Sequence, residues 1–275
     1  MYNDRGILTI AYGKKYVNQA KYLSYSCMLH TADTLRAVIT DSADELSRYY
    51  DIIVPFPEGK NPFFVKTTLY RYTPFKKTLY IDADSLVMND IESFWDSLNH
   101  YPFVYNGNKE TSGNWYFNIN EMVKKINVPW IPVFNSGMFL FNNSNTSKEV
   151  FECANNLMIN YKDTEIVFFR DKMLPDEPFF SITFAKLGIE PYNDHYRFSR
   201  SLIDANKINI DVIKGIAYYY KDNRPIFPLI VHFCGKFGNL IYIIQKIKLF
   251  FYFKISITNI IFKFAAHIRN KIKSN

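Results

Sequence analysis

In this 275-residue chain the apolar run Thr78-Leu79-Tyr80-Ile81 delivers two carboxylates, Asp82 and Asp84, to its end. On an uninterrupted strand, residues two apart share a face and stay in register along it, and neighbours oppose. A turn after the strand instead aims both acids at one hard cation, Mg²⁺ or Mn²⁺, which prefers oxygen ligands. Such an ion bridges a diphosphate and neutralises its charge as it leaves. The plainer alternative makes Asp82 the cap of a following helix and Asp84 a solvated loop acid. Further along stand Asn135-Ser136-Gly137, Asp176-Glu177-Pro178, His232 and Gly235-Lys236. Asn135 and Gly137 suit a turn. Asp176 suits a helix N-cap with Pro178 in the first turn. His232 suits the end of a buried strand. At Gly235 the missing side chain lets backbone approach a phosphate that the Lys236 ammonium can pair with.

Elements that would position these groups alternate along the first third. Gly6–Tyr12, Leu35–Thr40, Asp51–Pro55 and Lys77–Ile81 are short β-rich runs, and Val17–His30 and Pro62–Tyr72 have helical length. Strands interleaved with helices predict an α/β fold with a mostly parallel sheet covered on both faces. Ligands then sit beyond the carboxyl ends of the strands, past Ala11, Thr40 and Ile81. The second half is less regular: a strand with a polar break over Val133–Asn142, helices over Ser147–Tyr161 and Asp176–Leu187, and a buried strand at Leu229–Phe233.

The net charge of +7 is unevenly placed. Residues 1–238 balance 26 basic against 26 acidic side chains, whereas 239–275 hold Lys246, Lys248, Lys254, Lys263, Arg269, Lys271 and Lys273 with no acid. The predicted organisation is a domain over 1–238 and a basic, aromatic-rich tail over 239–275. No apolar run in the tail approaches the length of a bilayer span. Its mix of aliphatic, aromatic and lysine residues suits an anionic membrane surface; packing on the domain is the alternative. A neutral body argues against nucleic acid as a partner. The three cysteines Cys27, Cys153 and Cys234 contain no CxxC pair, which fits a reducing compartment. The first apolar run reads as a strand and not as a signal peptide. A cytoplasmic protein, peripheral at the cytosolic membrane face, is the expectation.

Val65–Val87, Phe134–Met138, Pro175–Phe179 and His232–Lys236 occur in an order that resembles nucleotide-sugar glycosyltransferases of the GT-A fold. The closest likeness is to the family-8-like group of lipopolysaccharide galactosyltransferases and glycogenin, over about residues 6–238. That resemblance implies Asp82, Asp84 and His232 as ligands of Mn²⁺ (or Mg²⁺). It implies Ala11, Tyr12, Tyr16, Lys66, Asp82, Asn135, Gly235 and Lys236 as donor-binding residues, and Asp176 and Glu177 beside the reacting sugar. The implied reaction moves a sugar from a nucleoside-diphosphate donor, a UDP-sugar by the same likeness, to a glycan or lipid-linked hydroxyl with retained configuration.

Two positions depart from the family pattern. Glu177 stands where the family has Gln, and Gly13 replaces the acid of Ala-x-Asp-x-x-Tyr, here Ala11-Tyr12-Gly13-Lys14-Lys15-Tyr16. Tyr16 can still stack on a base, and Asp41 after the second strand could replace the missing acid. Two other functions compete. A haloacid-dehalogenase-type phosphatase also carries a strand-ending Asp-x-Asp, though normally on its first strand. A catalytically silent membrane-surface protein on the same fold would hydrolyse no donor.

Overall fold

A computed structural model describes residues 3–163, 173–195, 197–234 and 238–255. In chain order the strands and helices are β1 (Asn3–Ala11), α1 (Gly13–His30), β2 (Leu35–Thr40), α2 (Ala43–Leu46), β3 (Ile52–Pro55), α3 (Pro62–Lys66), β4 (Phe75–Ile81), β5 (Ser85–Val87) and α4 (Glu92–Ser97). The middle of the chain adds β6 (Phe103–Val104), β7 (Gly107–Glu110), α5 (Ile119–Ile126), β8 (Ile131–Phe134), β9 (Met138–Asn142), α6 (Asn145–Ile159) and α7 (Glu177–Leu187). The last part is strand-rich: β10 (Ser199–Ser201), β11 (Asn206–Asp211), β12 (Ile216–Lys221), β13 (Arg224–Ile226) and β14 (Ile230–His232).

The main sheet has the order β3-β2-β1-β4-β9-β6. β1 to β4 run parallel, and β9 is antiparallel to both its neighbours. Both faces are buried, as the continuous apolar strands require. Leu8, Ile10, Tyr80, Phe139 and Phe141 point into an aromatic core with Phe151, Phe180 and Phe184 of α6 and α7. Their chain neighbours Ile7, Leu79, Ile81 and Leu140 pack on the opposite face with Leu23 and Cys27 of α1 and Phe94 and Trp95 of α4. This period of two fixes the register, because a one-residue slip would exchange the two cores.

Three segments differ from the sequence expectation. The Pro62–Tyr72 helix is only α3, followed by a short 3₁₀ turn at Leu69–Arg71. Asn61 caps α3 by accepting from Phe64 N at 3.0 Å. Thr67 and Thr68 then return their hydroxyls to Phe64 O and Val65 O, competing with helix propagation. The single strand over Val133–Asn142 is two strands in different sheets, β8 pairing with β7 and β9 with β4. Its polar break, Asn135-Ser136-Gly137, is the corner between them. The antiparallel meander β11-β12-β13 carried no clear sequence signal.

Residues 238–255 are helical. Tyr242, Gln245 and Leu249 turn inward and cover a core that includes Leu86, Met88, Val212 and Phe233. Gln245 accepts from Val212 N at 3.0 Å and donates to Ile210 O at 3.1 Å, and Lys248 pairs with Asp211 at 2.8 Å. Residues 256–275 of the predicted tail lie outside the described residues.

Candidate active site

The parallel run β1 to β4 brings Ala11, Thr40 and Ile81 to one edge, and the chain beyond β4 turns at once. Ser85 N donates to Asp82 O at 3.0 Å, closing a turn that leads into β5. β5 pairs with β14, placing Ser85 opposite His232, and Phe233 N donates to Asp84 O at 3.0 Å. The two acids and a histidine far along the chain are thereby set by one local ladder. Ligand atoms of Asp82, Asp84 and His232 all lie within 4.8 Å of one another. His232 Nε2 is 3.1 Å from Asp84 Oδ1 and 3.9 Å from Asp82 Oδ2. No helix starts at Asp82, so the capping alternative fails.

The other ring nitrogen is fixed. His232 Nδ1 lies 2.8 Å from Asn135 Oδ1, which also accepts from Gly137 N at 3.2 Å. Donation from Nδ1 to Asn135 Oδ1 turns Nε2 toward the carboxylates, where it carries a proton shared with Asp84 that a bound cation would displace to take up the Nε2 lone pair. Burial alone would lower the His232 pKa, but the Asp84 carboxylate outweighs it and holds the value well above the ordinary one. Asp84 is driven below its usual range: burial opposes ionisation, and the His232 charge overcomes that. Two acids and an imidazole around one point, with an amide oxygen orienting the imidazole from behind, fit a hard divalent cation.

Behind this trio is a buried ionic cluster. Lys66, only 5% exposed, sends its ammonium to Asp82 Oδ1 at 2.9 Å, Asp176 Oδ2 at 3.5 Å and Ser136 Oγ at 3.2 Å. It is no surface helix lysine. Burial would discharge it, yet the carboxylates of Asp176 and Asp82 raise its pKa above the ordinary lysine value. Tyr80 OH donates to the same Asp82 Oδ1 at 2.6 Å. One Asp82 oxygen is therefore occupied by protein donors, and Oδ2 is left toward His232.

Asp176 sits at the N-cap position of α7 but makes no cap hydrogen bond with its side chain. Its carboxylate faces inward to Lys66, and burial raises its pKa despite that ammonium. Glu177 is held by three donors: Tyr116 OH at 2.7 Å, Asn135 Nδ2 at 3.0 Å and Ser136 N at 3.0 Å. Burial and the neighbouring Asp176 charge raise its pKa as well. Asn135 itself is exposed, so its amide links the histidine, Glu177 and solvent space.

Around the start of α1 the edge is aromatic. Tyr12 and Tyr16 are 42% and 43% exposed, and Tyr12 stacks on Phe56 with centroids 4.3 Å apart. Gly13 adopts φ +79°, and both Asp41 oxygens accept from its N–H at 3.2 Å. An acid therefore does stand beside Gly13, supplied by Asp41 just past the end of β2. Gly235 and Lys236 lie outside the described residues. Sequence reasoning missed Tyr116 and Tyr80, whose hydroxyls orient the acids; a tyrosine in a chain with 21 of them gives no local signal.

A parallel-rich sheet with an acidic turn after its fourth strand, answered by a late histidine, defines a GT-A glycosyltransferase. Solved structures share the architecture. The galactosyltransferase LgtC, in complex with donor and acceptor sugar analogs, matches with TM-score 0.55 at 17% identity, over 84% of this chain and 87% of that one. An active-site mutant of LgtC matches with TM-score 0.54 at 17% identity, over 84% and 88%. The bifunctional glycosyltransferase WbbM matches with TM-score 0.54 at 9% identity, over 86% and 46%. No curated protein matches in sequence. The model of glycosyl transferase family 8 matches residues 60–237, and the chain belongs to that family. It is a glycosyltransferase enzyme, which removes the phosphatase and the catalytically silent readings.

Proposed function

We propose that the enzyme moves a sugar from a nucleoside-diphosphate donor, a UDP-sugar, to a hydroxyl of a glycan or lipid-linked acceptor, with retention of configuration. The convergence of Asp82, Asp84 and His232 beside Asn135 and Glu177 at the carboxyl edge of the sheet carries this reading. Asp82, Asp84 and His232 would hold Mn²⁺ or Mg²⁺, which when bound supplies a positive charge for the departing diphosphate. Tyr12 and Tyr16 offer ring faces for the base, with Ala11 giving close backbone and Asp41 an acceptor for ribose or base donors. Asn135 presents an amide to the donor sugar, and Gly235 and Lys236 would approach its phosphates.

Lys66 serves the donor through the carboxylates it touches. Its ammonium offsets the mutual repulsion of Asp82 and Asp176 and fixes which Asp82 oxygen faces outward. Glu177 is the acid that touches Asn135, and Asp176, buried against Lys66, acts through that lysine. Glu177, tied by three donors, offers a fixed negative charge to an oxocarbenium-like sugar, an electrostatic contribution that needs no movement. A panel of nucleotide sugars with Mn²⁺, scored for released nucleoside diphosphate, tests the reading. Release confined to a UDP-sugar, dependent on Mn²⁺ and lost in Asp84→Ala, is expected. Turnover that persists in Asp84→Ala would overturn the metal assignment.

Peripheral attachment to an anionic membrane is part of the proposal. No helix among the described residues is long and apolar enough to cross a membrane. The helix over 238–255 instead exposes Leu240, Ile243, Ile247, Phe250, Phe251 and Ile255 on the face turned away from the domain.

A further inference from the structure

A cavity of about 440 Å³ opens beside Asn135, bounded on the far side by β10, β12 and the β12–β13 turn. Its size suits a sugar unit, within the roughly 300–1,000 Å³ range of small-ligand sites. The wall is polar. It includes Asn106, whose amide oxygen and nitrogen are buried without a hydrogen-bond partner among the described residues. Two cations line it, and they differ. The Arg200 guanidinium is neutralised by Asp194, at 2.6 and 3.1 Å, and also donates to Ser199 O.

Lys221 has no such counter-charge. Its ammonium donates to Ser201 Oγ at 2.8 Å and Ser201 O at 3.2 Å, both uncharged, and no carboxylate of the described residues lies within ion-pair reach. Asp222 and Asp204 are the acids that influence it from further away, and Asp222 stands exposed at the rim. Burial dominates over their attraction and pulls the Lys221 pKa below the ordinary lysine value. A half-buried ammonium satisfied only by neutral oxygens gains from a ligand anion. Ser201 also pairs in register with His232, so this cation faces the cavity next to the strand that carries the candidate metal ligand.

We infer that this cavity is an acceptor site selective for an acidic sugar, a uronate or a sugar phosphate, whose anion pairs with Lys221 while its hydroxyl faces the Asn135 side. The inference rests on the sugar-transfer reading. An uncharged acceptor would leave the ammonium as it stands, whereas a charge-assisted hydrogen bond at such a site is worth about 1.5–3 kcal/mol. That corresponds to about ten- to a hundredfold in affinity.

The test is calorimetric titration of the full chain with Mn²⁺ and UDP present, so that added anions do not simply occupy the donor site. Glucuronate and glucose 6-phosphate are compared with glucose, and galacturonate with galactose. At least one charged sugar should bind about tenfold more tightly than its neutral parent. Lys221→Arg should keep the preference, and Lys221→Gln should erase it. Equal affinities, no binding by any charged sugar, or a preference that survives in Lys221→Gln would overturn the inference. So would loss of UDP affinity in Lys221→Gln, which would assign the lysine to the donor. Absence of Mn²⁺-dependent UDP-sugar hydrolysis in the unmodified enzyme is a separate result, and it would sink the sugar-transfer reading itself.

Discussion

Glu177 shows how one residue can be tuned without being moved. Glutamine can reproduce its contacts: Oε1 still accepts from Asn135 Nδ2 and Ser136 N, while Nε2 donates to a turned Tyr116 hydroxyl. The substitution therefore isolates the charge. Because burial and Asp176 raise the Glu177 pKa, its contribution to stability is fully present below the ordinary glutamate value and lost as pH rises through the folded-state value. Glu177→Gln should accordingly gain melting temperature relative to the native enzyme as pH increases from about 4 upward. A difference that stays flat with pH would show that Glu177 is not held in that state. Lys66 predicts the opposite kind of result. Lys66→Met leaves buried Asp176 and half-buried Asp82 with no counter-ion between them, a loss of about 3–5 kcal/mol read by denaturant unfolding. Lys66→Arg should not restore it fully, since a planar fork does not occupy the space of a point ammonium among three acceptors.

At the scale of elements, the site depends on two turns meeting one strand. The Asp82–Asp84 turn is registered against β14 through β5, and the Asn135–Gly137 corner presses on the same histidine from the other side. A Cβ built at Gly137 would collide with His232 Nδ1 and lie 2.6 Å from its Cε1 and 2.8 Å from Asn135 Oδ1. Gly137→Ala should thus tilt the imidazole and weaken Mn²⁺ binding by about ten- to a hundredfold, with the metal-free protein also losing about 1–3 kcal/mol of stability to the overpacking. Unaltered Mn²⁺ affinity by titration would refute that coupling. The first four strands and their common edge were legible because buried parallel strands write continuous apolar runs. The Asp pair and Asn135–Gly137 were legible as polar interruptions in such runs. Lys66 was not legible as a buried cation, because its surroundings come from β4, the Ser136 corner and α7, far apart in the chain. The three-strand meander was hidden for another reason: β11 alternates weakly, and its side chains pack on the helix that follows β14.

For the whole molecule, part of the +7 charge is already engaged within the domain, and the proposed membrane contact has to be argued from what is left. Lys248 is paired with Asp211 and the Lys246 ammonium lies over the rings of Tyr22 and Tyr242, so part of the basic excess fastens the helix to its own domain. The outward face is apolar, with Ile247, Phe250 and Phe251 at 51%, 44% and 54% exposure. Each such side chain gains about 1.5–3 kcal/mol when fully buried in an apolar phase, against about 1 kcal/mol for a lysine near an anionic surface. Membrane binding through this helix should therefore be only partly salt-sensitive. Replacing Ile247, Phe250 and Phe251 together by serine should abolish co-sedimentation with phosphatidylserine vesicles while donor hydrolysis continues. Leu249→Ala, on the inner face, should instead cost about 2–5 kcal/mol of folding stability. If the triple variant still sediments with vesicles, the outer face is not the membrane contact, and the basic residues beyond 255 would have to carry it.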